Sequence, residues 1–278
     1  MNKSITTFFK GLLMGVFETI PGISGSTIAL FLGIYEKIIK SLNLYSPNNL
    51  IRIYKAKKTK RLKLLKELNF SFLFFLILGM AVAIFSFSHL ISYLFENYPI
   101  FLLTFFVGFI FSSTYISGKA HFKKENIIII SIGLLLGLAL LLLSPQNLLG
   151  ETPLDIIISG IVTVTFGLLP GISGSFMLLI IGKYEFILHS VKNLEWSTIS
   201  LFMVGVAIGV IGLVKIIKHF LDNHNSKVLS FFFAFVIGSI TLLIKDILIG
   251  FDMNDILVIT TYLLVGILSG IYLHKIMK

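Results

Sequence analysis

Apolar runs of about 20 residues, separated by short polar or glycine-bearing stretches, fill most of this chain. A helix needs roughly 20 such residues to cross a hydrocarbon layer. The pattern therefore predicts spans over 70–95, 98–117, 126–144, 197–220, 228–250 and 255–276. Two further apolar stretches, 5–42 and 156–192, are interrupted at their middle by Pro-Gly. Each is either one kinked span or a re-entrant hairpin. Non-helical backbone is not tolerated against lipid, so the interruptions must face protein or a polar cavity.

The two interruptions carry the same six residues. "PGISGS" stands at Pro21–Ser26 and again at Pro170–Ser175, 149 residues further on. At that offset Gly11 meets Gly160, Phe17 meets Phe166, Gly33 meets Gly182, Tyr35 meets Tyr184 and Glu36 meets Glu185. The register resumes at an offset of 126, pairing Gly79 with Gly205, His89 with Lys215, and Glu96-Asn97 with Asp222-Asn223. The lost 23 residues are a basic loop that only the first half carries. Gly108/Gly238 and Gly137/Gly266 continue the match more weakly. The chain reads as a duplication, 1–150 and 151–278, each half a broken helix followed by three spans.

Charge orients the halves. The segment Arg52–Lys66, within the loop 46–67, holds eight basic residues and is expected in the cytoplasm. With hairpins for the broken helices, "GKAHFKKEN", "KIIKHFLDNHNSK" and the tail "LHKIMK" then fall inside. "ENYP", "SPQNLLGETPLD" and "GFDMND" fall outside, and both termini are cytoplasmic. Three spans is an odd number, so the second half is inverted. The expected fold is an all-α polytopic membrane protein with an inverted repeat, each half a Pro-Gly-broken re-entrant hairpin plus three transmembrane helices. Full spans in place of hairpins are the alternative.

A composition of 56% hydrophobic and 13% charged residues fits no soluble domain of 278 residues. The N-terminus has no small-residue cleavage site before the first breaker, so no cleavable signal is expected. No cysteine is present, which removes disulfides and thiolate metal sites. The net charge of +10 is explained by cytoplasmic loops that meet anionic headgroups, and no nucleic-acid partner is expected.

Gly22, Gly25, Gly171 and Gly174 permit tight turns and close approach. Pro21 and Pro170 end the first half-helix. Ser24, Ser26, Ser173 and Ser175 are placed to cap the second, with Thr27 beside them. A helix N-terminus at mid-membrane suits an anion, above all a phosphate. The plain alternative is a packing kink, since serine and glycine also mediate close helix contacts. Glu18, three residues before Pro21, has Gly167 as its counterpart; an acid at that depth is paired, neutral or exposed to a cavity, and suits H+ or Na+ coupling. Glu36 and Glu185 follow the second half-helices, either as interfacial acids or as functional ones. His89 and Lys215 are matched positions that could neutralise a phosphate from opposite sides, although Lys215 also opens the basic end of its span. Lys183 stands opposite Ile34 and could meet a headgroup.

The doubled "PGISGS", the "GIYE" and "GKYE" that follow it, and the span count resemble the bacterial polyprenyl-phosphate transporter family, domain of unknown function 368. The resemblance covers essentially the whole chain. It implies return of undecaprenyl phosphate from the outer to the inner leaflet of the plasma membrane, for reuse as the cell-wall carrier lipid. No enzymatic activity and no cofactor beyond a coupling ion would be needed. Membrane lipids and the lipid phosphate are the implied partners. An intramembrane polyprenyl diphosphate phosphatase is the enzyme alternative. Those enzymes carry an arginine in a similar loop, but Gly25 and Gly174 stand there, and the only arginines are Arg52 and Arg61. A transporter of a small soluble anion is the third reading.

Overall fold

The computed structural model describes residues 3–20, 22–57, 61, 64, 65 and 67–277, with backbone alone for Asn254 and Met277. Pro21 and much of the basic loop, including Lys66, lie outside the described residues. Among the described residues there are twelve α-helices and no strand. In chain order they are α1 (Lys3–Glu18), α2 (Gly25–Phe31), α3 (Tyr35–Asn43), α4 (Pro47–Lys55), α5 (Phe70–Asn97) and α6 (Pro99–Gly118). Then follow α7 (Ile127–Ala139), α8 (Pro153–Leu168), α9 (Gly174–Ile180), α10 (Tyr184–Lys192), α11 (Trp196–Ile249) and α12 (Ile256–Met277). Proline opens α4, α6 and α8, where its missing N–H costs nothing. A Thr152/Asp155 capping box fixes the start of α8.

Five helices are long and apolar enough to cross a membrane. The longest, α11, has 54 residues. At 1.5 Å per residue that is about 80 Å, more than twice a hydrocarbon core of about 30 Å. It divides at His224, whose φ of −141° and ψ of 40° are not helical. The two spans expected at 197–220 and 228–250 are thus the arms of one bent helix, and the stretch between them stays helical up to the kink.

Glycines set how the helices cross. A Cβ on Gly11 would sit 2.1 Å from the Leu76 carbonyl oxygen, and one on Gly79 would sit 2.1 Å from that of Phe8. In the second half, Gly160 faces the Phe202 oxygen at 2.2 Å and Gly205 that of Ile157 at 2.0 Å. The Gly11/Gly79 crossing of α1 with α5 therefore has its counterpart in the Gly160/Gly205 crossing of α8 with the first arm of α11. The remaining spans pair between halves. Gly108 and Gly266 join α6 to α12, and Gly238 and Gly137 join the second arm of α11 to α7. Backbones this close maximise van der Waals contact where no hydrophobic force acts between helices in lipid. The contacts advance in step along both partners: Gly11 meets Leu76 and Gly15 meets Met80, while Gly205 meets Ile157 and Gly209 meets Ile161. So α1 runs parallel to α5, and α8 parallel to the first arm of α11.

After α1 the chain turns back on itself. Gly25 rests against the Met14 oxygen, and seven residues later the Leu32 oxygen accepts a hydrogen bond of 3.2 Å from Lys10 Nζ. The matching helices α9 and α10 meet at a bend of 114°. Gly22, Gly33, Gly171 and Gly182 hold the turns with φ of +84°, +64°, +97° and +73°, a region closed to most side chains.

Asn126 clamps the α6–α7 turn to the second arm of α11. Its Nδ2 donates to Ser230 Oγ at 2.9 Å and Ser226 Oγ at 3.1 Å, and Ser230 in turn donates to the His121 carbonyl at 2.6 Å. Asn126 is 3% exposed. Replacing it with alanine should cost about 1–3 kcal/mol, read as a lower thermal midpoint in detergent, whereas Asn126→Gln recovers part of it.

Candidate functional site

The described residues of the first breaker adjoin the large hydrophobic core that holds Ile20, Ile23, Ile28, Phe106, Phe109 and Val236, and the second breaker meets them there. Three hydrogen bonds join them across more than 130 residues of sequence. Ser24 Oγ donates to the Gly167 carbonyl at 3.0 Å, Gly171 N–H to Thr27 Oγ1 at 2.9 Å, and Tyr35 Oη to the Leu168 carbonyl at 3.0 Å. Ser24, Thr27, Pro170, Gly171, Ser173 and Gly174 are buried. The void between the loops, bordered by Gly22, Thr27, Gly171 and Ser239, is only about 10 Å³. That is about the least space a single water needs, so the loops are closed on each other.

Each breaker also satisfies itself. Ser24 caps α2, accepting from Ser26 N–H at 3.2 Å and sharing a 2.7 Å hydrogen bond with Ser26 Oγ. Ser173 and Ser175 share the matching 2.7 Å contact, but the Ser173 side chain does not cap α9. The halves differ most at Glu18. Its Oε2 accepts from Gly25 N–H at 2.6 Å, so a carboxylate of the chain itself occupies the start of α2. At the corresponding place in the second half stands Gly167, which offers α9 no carboxylate.

The other predicted residues are spread more widely. Lys183 is buried with its ammonium 5.2 Å above the Phe186 ring. Glu36 binds Lys40 at 2.8 Å and accepts from Asn225 Nδ2 at 3.2 Å. Its counterpart Glu185 is exposed in the first turn of α10. His89 is exposed on α5, and Lys215 borders a polar cavity beside α4. Neither belongs to the interlocked loops. Tyr35 and the carbonyls of Gly167 and Leu168 do belong, and the duplicated "GxYE" was the signal for Tyr35. An apolar groove of about 360 Å³ opens beside the second breaker. Leu169, Leu213, Ile217, Phe220 and Phe231 form it, and His224 and Lys227 stand at its polar end.

Among the described residues, twelve helices, five of them long and apolar enough to cross a membrane, are those of a multi-pass membrane protein. A family model described as VCA0040-like, undecaprenyl phosphate translocase-like, matches residues 14–249, and the chain belongs to that family. It is 30% identical over 238 residues to a polyprenyl-phosphate transporter of Vibrio cholerae serotype O1, covering 85% of this chain and 76% of the relative. It is 31% identical over 254 residues to a polyprenyl-phosphate transporter of Staphylococcus aureus, covering 83% of each. No solved structure matches. The family and these relatives are named for transport, not for an enzymatic reaction.

Proposed function

We propose that this protein is a secondary transporter that returns undecaprenyl phosphate from the outer to the inner leaflet of the bacterial plasma membrane, the phosphate passing between the two PGISGS loops. The observation that carries this reading is the interlock. Two copies of one breaker, 149 residues apart, are buried against each other through Ser24–Gly167 and Thr27–Gly171. A packing kink needs no such meeting. Family membership supplies the class of cargo.

The halves are inverted repeats, and the broken helices are hairpins. The parallel run of α1 with α5 supports this: a chain that had crossed fully between them would enter α5 from the other side and run antiparallel. The same reasoning holds for α8 and the first arm of α11. The exchanged glycine crossings support a two-fold relation between halves. With the basic loop in the cytoplasm, both termini are cytoplasmic. The closed loops then represent an occluded state in an alternating-access cycle. In it Tyr35 holds the Leu168 carbonyl while its counterpart Tyr184 is exposed. When the halves exchange conformations, Tyr184 takes the equivalent bond to Thr19. The groove ending at His224 and Lys227 holds the isoprenoid tail beside the breaker.

Glu18 couples the cycle to an ion. As a carboxylate it holds Gly25 N–H; protonated or bound to Na+, it releases that donor to the phosphate. Glu18→Gln should fold normally and transport without the wild-type pH dependence. An unaltered pH profile in that variant contradicts the coupling role.

The function is tested with purified protein in phosphatidylcholine vesicles, following a labelled prenyl phosphate between leaflets and labelled inorganic phosphate across the bilayer. Movement of the lipid alone is expected. Movement of inorganic phosphate alone would make the protein a transporter of a soluble anion.

A further inference from the structure

On the same side of the molecule as the basic loop lies a polar cavity of about 570 Å³. Its volume is within the usual range for a small-ligand site. One wall is the start of α4, with Ser46, Asn48 and Asn49; the other is the first arm of α11, with Lys215, Lys218 and Asp222. Positions 215, 218 and 222 recur every three or four residues, so the arm turns one polar face to the cavity. Lys218 is spent on Asp222, which also lies 4.0 Å from Lys40. Asn49 donates to the Asn43 carbonyl at 3.0 Å. Lys215, Ser46 and Asn48 have no such partner among the described residues, so an ammonium, a hydroxyl and an amide converge on the space unengaged.

Two further observations say what it takes. The first is asymmetry. In the register that matches Lys215 to His89, Lys218 corresponds to Ser92, His219 to Tyr93 and Asp222 to Glu96. The cations of this face are not repeated in the other half. The opposite wall also begins the basic segment that only the first half carries. The cavity is thus built on one face of the protein alone. The second is its neighbour. Leu42 and Tyr45, next in the chain to Asn43 and Ser46, line an apolar groove of about 440 Å³ against Phe70, Leu73 and Ile77 of α5. A cationic, donor-rich cavity beside an apolar groove fits an amphiphile with an anionic head.

The geometry points to a second phosphate-monoester site at this cavity, distinct from the breaker loops, in which Lys215, Ser46 and Asn48 hold the phosphate of a prenyl phosphate after it has crossed. This rests on the transport reading above. One-sided placement makes the two faces unequal, because the cargo has a station on the basic-loop side and no equivalent opposite; the net direction is set by the cargo gradient and any coupled ion.

The test is protection of Lys215 from an amine-acylating reagent, read by mass spectrometry on the full chain in phosphatidylcholine nanodiscs. Geranylgeranyl phosphate, geranylgeraniol and inorganic phosphate are compared, bound prenyl phosphate is quantified by extraction, and Lys192 is the internal reference. Geranylgeranyl phosphate at about four times its Kd should slow acylation of Lys215 about five-fold, with Lys192 unchanged and geranylgeraniol without effect. Asn48→Asp, at an exposed position of α4, should remove the protection by placing a repelling carboxylate in the cavity. Equal protection by inorganic phosphate would support the phosphate chemistry and assign the site to the free ion. Bound prenyl phosphate with unprotected Lys215 would overturn the second site and leave transport standing. Protection by geranylgeraniol would also overturn it, as mere shielding by the tail. No bound prenyl phosphate at all would overturn both readings.

Discussion

Gly205→Leu is expected to abolish the folded protein, and Gly79→Leu to do the same from the other half. At Gly205 the first side-chain carbon would lie 2.0 Å from the Ile157 oxygen and 3.1 Å from the Gly160 Cα. Both are backbone atoms, so no side chain can swing aside. The two helices must part along the whole crossing, and each then loses the dispersion contacts that hold it in lipid. Overpacking of this kind costs about 1–3 kcal/mol or more in ordinary cores. Here it falls on a crossing that also carries α8 to the second breaker. Gly212→Leu, on the same arm, is the control: a Cβ there meets nothing within 4 Å. Size-exclusion profiles and thermal midpoints in detergent separate the two. Equal midpoints for the Gly205 and Gly212 variants would contradict the crossing.

Ser24→Leu is expected to stop transport while leaving the protein folded. Ser24 is fully buried, caps α2, and holds the second half through the Gly167 carbonyl. A leucine there removes both bonds and forces the loops apart by more than the small void between them can absorb. Misplacement of about 1 Å at a working site is worth about 100-fold, which is the loss expected in lipid movement. Ser24→Ala keeps the space and loses about 1 kcal/mol of hydrogen bonding, so a several-fold loss is expected. Initial rates in vesicles at matched protein density measure both. A Ser24→Leu rate within two-fold of wild type, an allowance of about 0.4 kcal/mol, would remove the loops from the path.

Much of this was legible in the sequence because it depends on local rules. Span length follows from hydrocarbon thickness, and the spans stand close to where the apolar runs put them. The offset between repeats named the glycine pairs Gly11/Gly160 and Gly79/Gly205 before their crossings were visible. The positive φ at Gly22 and Gly171 follows from the need to turn at the breaker. What sequence could not give is which surfaces meet. That α6 pairs with α12, and α7 with the second arm of α11, depends on packing between residues more than 90 apart. The Glu18–Gly25 bond depends on the direction in which α2 turns back. For His89 and Lys215, matched by register, the sequence leaves two readings open, a phosphate met from opposite sides or a Lys215 that only opens the basic end of its span, and matched positions in two halves need not share a site. His89 faces outward on α5, and Lys215 belongs to the cavity beside α4. The helical continuity of α11 past residue 220 is hidden in the sequence because the polar residues at 222–227 read as a loop.

The most direct test of the central claim, that lipid phosphate passes between the two breakers, is the outer-leaflet pool of undecaprenyl phosphate. It is measured with an impermeant phosphate-lipid-binding probe in cells depleted of this protein and of any redundant transporter. The pool should rise on depletion, fall again with the wild-type chain, and stay high with Ser24→Leu or a Pro170-Gly171 variant present at wild-type levels in the membrane. An outer pool unchanged by depletion, or restored equally by the breaker variants, would contradict the claim.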